Sequence, residues 1–132
     1  MILDSSALVA ILEREPGWEA LLAAAAAGPC VMSAATWIEA GIVADSRSLT
    51  HGRAFDRLVE ALEIDIVPVS REQAELARET YRRYGKGSGS PARLNFGDCF
   101  SYALAVITAQ PLLFVGEDFT ATDVRRVPGL ST

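Results

Sequence analysis

One histidine and two cysteines in 132 residues leave almost nothing from which to build a soft-metal site. A zinc centre of the nitrogen and sulfur type takes four such ligands, or three and an open position. His51 stands among Ser, Thr, Gly and Arg and reads as a solvated loop residue. Cys30 and Cys99 each lie inside an apolar segment and read as reduced core thiols; a disulfide would need an oxidising compartment. Lysine is equally scarce, Lys86 being the only one, and the net charge is −5. That balance argues against gripping nucleic acid by bulk charge, while leaving room for a local basic strip or a basic partner. Long hydrophobic runs are also missing. The longest uncharged stretch, Ala20 to Ile38, is interrupted by Gly28-Pro29 and diluted by weakly hydrophobic alanines, so no membrane span is expected. The opening Met1-Ile2-Leu3-Asp4 shows neither a basic region nor a cleavage site, and the expected location is the cytoplasm.

What is present is the material of a globular core. Half of the residues are hydrophobic and 22% are charged, and residues 1–132 suit one domain. Met1–Asp4 is an apolar run ending in an acid, after which Ser5 or Ser6 can cap a helix to about Glu13. Pro16 suits the first turn of a second helix, from about Gly17 to Ala27. Cys30–Ser33 reads as a buried strand, Ala34 to about Arg47 as a helix, and Thr50–Leu62 as an amphipathic helix. Ile64–Val69 reads as a strand whose Pro68 marks an edge or an end. Ser70 with Gln73 forms a capping-box pattern that opens a helix to about Tyr84. Gly85–Pro91 is a loop too short to link domains; Asn95–Ala109 is an apolar helix. Leu112–Val115 reads as a buried strand and Val124–Val127 as a short final one. Apolar strands alternating with helices predict an α/β fold, a three-layer α/β/α sandwich around a mostly parallel sheet. Ligands in such folds gather beyond the carboxyl ends of the strands.

Four acids stand where apolar or small residues are usual. Asp4 ends the first strand. Glu39 has Ala35, Thr36, Ile42 and Val43 three and four residues away and so points along a largely apolar face. Asp98 opens the apolar helix beside Phe96, Cys99 and Phe100, and Asp118 follows the Leu112–Val115 strand. Buried carboxylates are costly unless compensated, and converging ones raise one another's pKa. A divalent cation answers both problems, and oxygen ligands without His or Cys select Mg²⁺ or Mn²⁺. Such an ion orients a phosphodiester and activates water for in-line attack. Each acid also has a plainer reading: Asp4 as a helix cap, Asp98 as a partner of the helix dipole, Asp118 as a turn residue. Glu39 has no comparable structural use.

At these residues the chain resembles the PIN-domain family, in particular VapC-type toxins. The similarity is carried by Met1–Ala10, by Glu39, by Leu94-Asn95-Phe96-Gly97-Asp98-Cys99-Phe100-Ser101-Tyr102-Ala103, and by Pro111–Phe119 with Thr122-Asp123 behind it. The resemblance implies that Asp4, Glu39, Asp98 and Asp118 are the family's acidic quartet, with Asp4 and Asp98 as principal metal ligands. It implies that Ser6 orients a ligand or phosphate, and that Glu117 or Asp123 could replace or assist Asp118. It further implies endoribonuclease activity on structured RNA, often transfer RNA. It also implies a homodimer, and inhibition by a cognate antitoxin that wraps the toxin and can place a basic side chain in the site.

Arg78, Arg82, Arg83, Lys86 and Arg93 flank the Gly/Ser loop before Asp98 and could hold the RNA backbone. They could equally be a solvated helix face, with Glu79 four residues ahead of Arg83. The helices after Ser6 and Gly17 offer small and aliphatic residues for an amphipathic antitoxin helix or for plain core packing. Trp18 and Trp37 read as core or interface residues. A receiver-type phosphoacceptor would need an acid after a central strand and a late lysine; Ile64–Val69 runs into Ser70, and no lysine follows Lys86. A haloacid-dehalogenase-like phosphatase would need Asp where Ser6 stands. The remaining alternative is a catalytically inactive PIN-like module that only binds RNA or protein, against which the intact acids argue.

Overall fold

The computed structural model describes residues 1–130. Its elements in chain order are β1 Ile2–Leu3, α1 Ser5–Leu12, α2 Trp18–Ala26, β2 Val31–Ser33 and α3 Ala34–Arg47. They continue with α4 Leu49–Ala61, β3 Asp65–Val67, α5 Arg71–Tyr84, α6 Phe96–Thr108 and β4 Leu112–Leu113. The four strands form one sheet in the order β3-β2-β1-β4, and every pairing is parallel.

Side-chain alternation along short strands divides the interior in two. Leu3, Met32 and Leu113 enter a cluster built largely from α1, α2, α3 and α4. Ile2, Leu112 and Phe114 enter a second cluster with α5 and α6. The sheet is therefore covered on both faces, which is why its strands are apolar throughout rather than alternating with polar residues. Cys30 belongs to the first cluster and Cys99 to the second; both thiols are free and buried, on opposite sides of the sheet. Burial pushes the Cys99 thiol up to about 11.

From β1 the chain steps to β2 and then β3 on one side, and returns as β4 on the other. The reversal leaves a crevice beyond the carboxyl ends of β1 and β4, the switch point where open parallel sheets bind ligands. Asp4 follows β1 directly into it.

Several local expectations need correction. Asp4, rather than Ser5 or Ser6, caps α1: it is extended (φ −87, ψ 158) and accepts from the Ser6 amide. Gly17 takes the left-handed conformation (φ +90) as the cap of α2, which leaves Pro16 outside that helix. His51 is not in a loop. It lies in the first turn of α4, where Nδ1 is 2.8 Å from the Ser48 hydroxyl and Nε2 is 3.7 Å from Glu13. The final strand near Val124–Val127 is reduced to one parallel bridge between Leu112 and Arg126. Ser70 does cap α5 through the Gln73 amide. Among the described residues, no helix is long and apolar enough to cross a membrane.

Candidate active site

The crevice is organised around Asp4, which is only 3% exposed. Its Oδ2 accepts from the Ser6 amide at 3.1 Å and from the Ser6 hydroxyl at 2.6 Å. Its Oδ1 accepts from the Ser101 hydroxyl at 2.6 Å. Ser6 in turn accepts from the Val115 amide at 3.0 Å, which ties the end of β4 to the start of α1. Ser101 lies 3.2 Å from the Thr36 hydroxyl of α3. One carboxylate thus joins four elements, and its two oxygens are held in fixed directions.

Asp98 sits one turn before Ser101 on α6 and is 8% exposed. It forms a reciprocal capping box with Asn95: its Oδ2 accepts from the Asn95 amide at 3.0 Å, and Asn95 Oδ1 accepts from the Asp98 amide at 2.9 Å. The dipole reading of Asp98 is therefore correct as far as it goes, but the cap does not explain its electrostatics. Burial pushes the Asp98 carboxyl up to about 7, opposed by the Asn95 hydrogen bond and reinforced by the charges of Asp4, Asp118 and Glu39. Those three are the other members of the expected quartet.

Glu39 is half-buried on α3 and accepts from the Ser5 hydroxyl at 3.0 Å. Its carboxylate rests on the backbone of Gly97, where an added Cβ would lie 2.0 Å from Glu39 Oε2. The bare glycine before Asp98 is what lets α3 bring Glu39 against the first turn of α6. Asp118 is exposed in the turn after β4, anchored by its neighbour Phe119, which is buried against Phe114 with ring centres 5.1 Å apart.

Glu117 is exposed. Asp123 is committed elsewhere: it accepts from the Tyr102 hydroxyl and lies 3.9 Å from Arg83. Arg83 also stacks over Tyr84 at 4.7 Å. Arg82, Lys86 and Arg93 are exposed and carry no ion pair among the described residues. The suggested Glu79–Arg83 pair does not form; the ion pair on α5 joins Arg71 and Glu75 at 3.0 Å.

Sequence reasoning missed Ser101, Thr36 and Gly97. Two of them left a trace. Ser101 is three residues after Asp98 and Thr36 three before Glu39, so each hydroxyl shares a helix face with an acid. Nothing local marks Gly97, because its requirement comes from another helix.

A parallel α/β sheet that gathers carboxylates beyond the strands at its switch point defines the chain as an α/β protein with an acid-lined site. The chain belongs to the PIN domain family, whose model matches residues 1–125. It is 49% identical over 128 residues to Ribonuclease VapC28 of Mycobacterium tuberculosis, covering 96% of each chain. It is 50% identical over 129 residues to Ribonuclease VapC of Mycolicibacterium smegmatis, covering 96% of this chain and 99% of that one. Two solved structures share the fold. VapC20 of Mycobacterium tuberculosis, a sarcin–ricin loop cleaving toxin, matches with a TM-score of 0.76 at 17% identity over 96% of this chain and 97% of its own. A toxin–antitoxin complex from Klebsiella pneumoniae matches with a TM-score of 0.71 at 19% identity over 97% of each chain.

Proposed function

We propose that this protein is a VapC-like toxin, an endoribonuclease that uses Mg²⁺ or Mn²⁺ to hydrolyse phosphodiester bonds in structured RNA such as transfer RNA. One observation carries the reading: Asp4, Glu39 and Asp118, scattered along the chain, all come close enough to Asp98 for their charges to reach its buried carboxyl. Neighbours named ribonuclease at about half identity support the same chemistry.

The donor set suits a hard cation, being all oxygen. Among the described residues no group of three or more His, Cys, Asp and Glu is arranged to hold a metal ion. Mg²⁺ asks for no larger cluster, since it binds through one or two carboxylates and keeps several waters. Asp4 and Asp98 are the direct ligands in this reading, and Glu39 and Asp118 act through water. The bound ion would neutralise charge on the phosphate and lower the pKa of a coordinated water. Ser6 and Ser101 hold Asp4 in its rotamer, and Ser5 holds Glu39. Glu39, less buried than Asp4 and Asp98, is placed to accept a proton from an attacking water. Arg82, Lys86 and Arg93 grip the RNA backbone; Arg83, tied to Asp123 and Tyr84, contributes a fixed charge rather than a mobile one.

The partner is a cognate antitoxin, as in the Klebsiella complex, and the toxin itself is a homodimer in the cytoplasm. A groove of about 420 Å³ between the start of α2 and the segment Phe114–Glu117 supports antitoxin docking, because its lining reaches Glu117, the residue before Asp118. The 1–132 chain works as one domain. Purified protein should cleave structured RNA in Mg²⁺, stop in chelator, and show a thermal upshift on Mn²⁺ addition that Asp98→Ala removes. Cleavage that persists in chelator or in Asp4→Ala would overturn the metal mechanism and favour another use of the fold.

A further inference from the structure

Helix α6 has two unlike sides at its first turn. Gly97 and Ser101 face the acids, whereas Phe96, Cys99 and Phe100 face α5 across a groove of about 490 Å³. Phe96 is 75% exposed, the most exposed of the large hydrophobic residues. Nothing at the first position of a helix calls for a bare phenyl ring, and leaving one in water forgoes its burial. Its orientation is set all the same: Phe100 meets it edge-on, with ring centres 5.0 Å apart and planes at 89°. Tyr81, 41% exposed, forms part of the opposite wall.

The rim adds charge. Arg78 and Arg82 line the groove one turn apart on α5. Two like charges at that spacing repel mildly, and among the described residues neither has an ion-pair partner. A second copy of the chain docking here would bury both guanidinium groups, which is costly unless carboxylates meet them. A nucleic-acid strand brings its own anions. Apolar space, an oriented exposed ring and unpaired arginines together are the features of a base-stacking site.

We infer that the α5–α6 groove is a nucleobase subsite, in which a base neighbouring the cleaved phosphate stacks on Phe96 while Arg78 and Arg82 take flanking phosphates. This rests on the ribonuclease reading above and deepens it. The groove and Asp98 share the first turn of α6, so a strand crossing that turn presents a phosphate to the acids and an adjacent base to the ring. Stacking is tolerant of base identity, so Phe96 favours unpaired nucleotides over paired ones and selects loops without reading their sequence.

The test uses a single-stranded oligoribonucleotide carrying one 2-aminopurine, whose fluorescence falls on stacking. Binding is followed in chelator with the full chain, and cleavage is followed separately in Mg²⁺. Wild type should quench the probe. Phe96→Ala should lose the quench and raise KM about tenfold or more, with kcat little changed and an unaltered melting curve. Phe96→Trp should restore both. An unchanged quench and KM in Phe96→Ala overturns the subsite. So does a shift from dimer to monomer in light scattering with the quench intact, because the groove is then an interface between copies. The two failures are separable. Wild-type protein without Mg²⁺-dependent cleavage overturns the ribonuclease reading and the subsite with it, whereas wild-type cleavage with an unaltered Phe96→Ala overturns the subsite alone.

Discussion

The two ends of the sheet make opposite use of similar space. Before the strands begin, a cavity of about 500 Å³ lies between the turn Ala26–Val31 and the turn Leu62–Asp65. It is as large as any groove on the molecule described above, and it carries two acids, Glu63 and Asp65. Among the described residues, no hydroxyl holds either carboxylate in place. Beyond the carboxyl ends, four carboxylates and three serines converge. Volume does not make a site; polar groups converging on a carboxyl whose charge is perturbed do.

The comparison can be broken most severely at its centre. Asp4→Ala or Asp98→Ala should lower RNA cleavage by about a thousandfold or more, the scale expected when metal-held charge is lost. Single-turnover cleavage at saturating Mg²⁺ measures this, with Glu63→Ala as the amino-end control at wild-type rate. Gly97→Ala comes next. The new methyl must displace the Glu39 carboxylate from its seat, and a misplacement of that size costs roughly a hundredfold in kcat. A crystal structure or kinetics showing Glu39 and the rate unmoved would contradict the account of why position 97 is bare.

Ser101→Ala removes one of the hydrogen bonds that orient Asp4. About tenfold in rate and about 1 to 2 kcal/mol of stability should go with it, read from kinetics and urea melts. The pH dependence sharpens the same contrast. Unfolded, Asp98 gives up its proton near 3.8; folded, it keeps it to about 7. The folded state therefore binds the proton more tightly in that window, and metal-free protein should lose stability as pH rises from about 4 to about 7. Asp98→Asn should flatten that slope and raise metal-free stability at pH 8 by on the order of 2 kcal/mol, while abolishing cleavage. The smallest effect belongs to the other end. Glu63 adopts φ +50, so Glu63→Gly should change stability by less than about 1 kcal/mol and leave cleavage untouched.

Much of this centre was legible because burying an acid is expensive. Asp4, Glu39 and Asp98 stand out against apolar neighbours wherever the chain is read locally, whereas Asp118, exposed after β4, was marked only by its place behind a strand. The alternation of strands and helices likewise announced a parallel sheet, and the switch-point rule said which end to inspect. What escaped was whatever depended on a neighbour distant in sequence. Ser101 resembles any small residue in a packed helix until Asp4, 97 positions away, is placed against it. Asp123 gave no local sign that its carboxylate would meet Tyr102 and lie beside Arg83. His51 read as a loop residue because its partner Glu13, at the end of α1, is distant in sequence.

By itself the order of residues determined the elements, the sidedness of their apolar faces and the presence of acids that need compensation. Those follow from local propensity and from the cost of desolvating charge, which act over a few residues. Only the tertiary structure decided which acids share a field, which hydroxyls aim them, and that position 97 must lack a side chain. Those depend on distances between elements, and such distances exist only once the two faces of the sheet are packed.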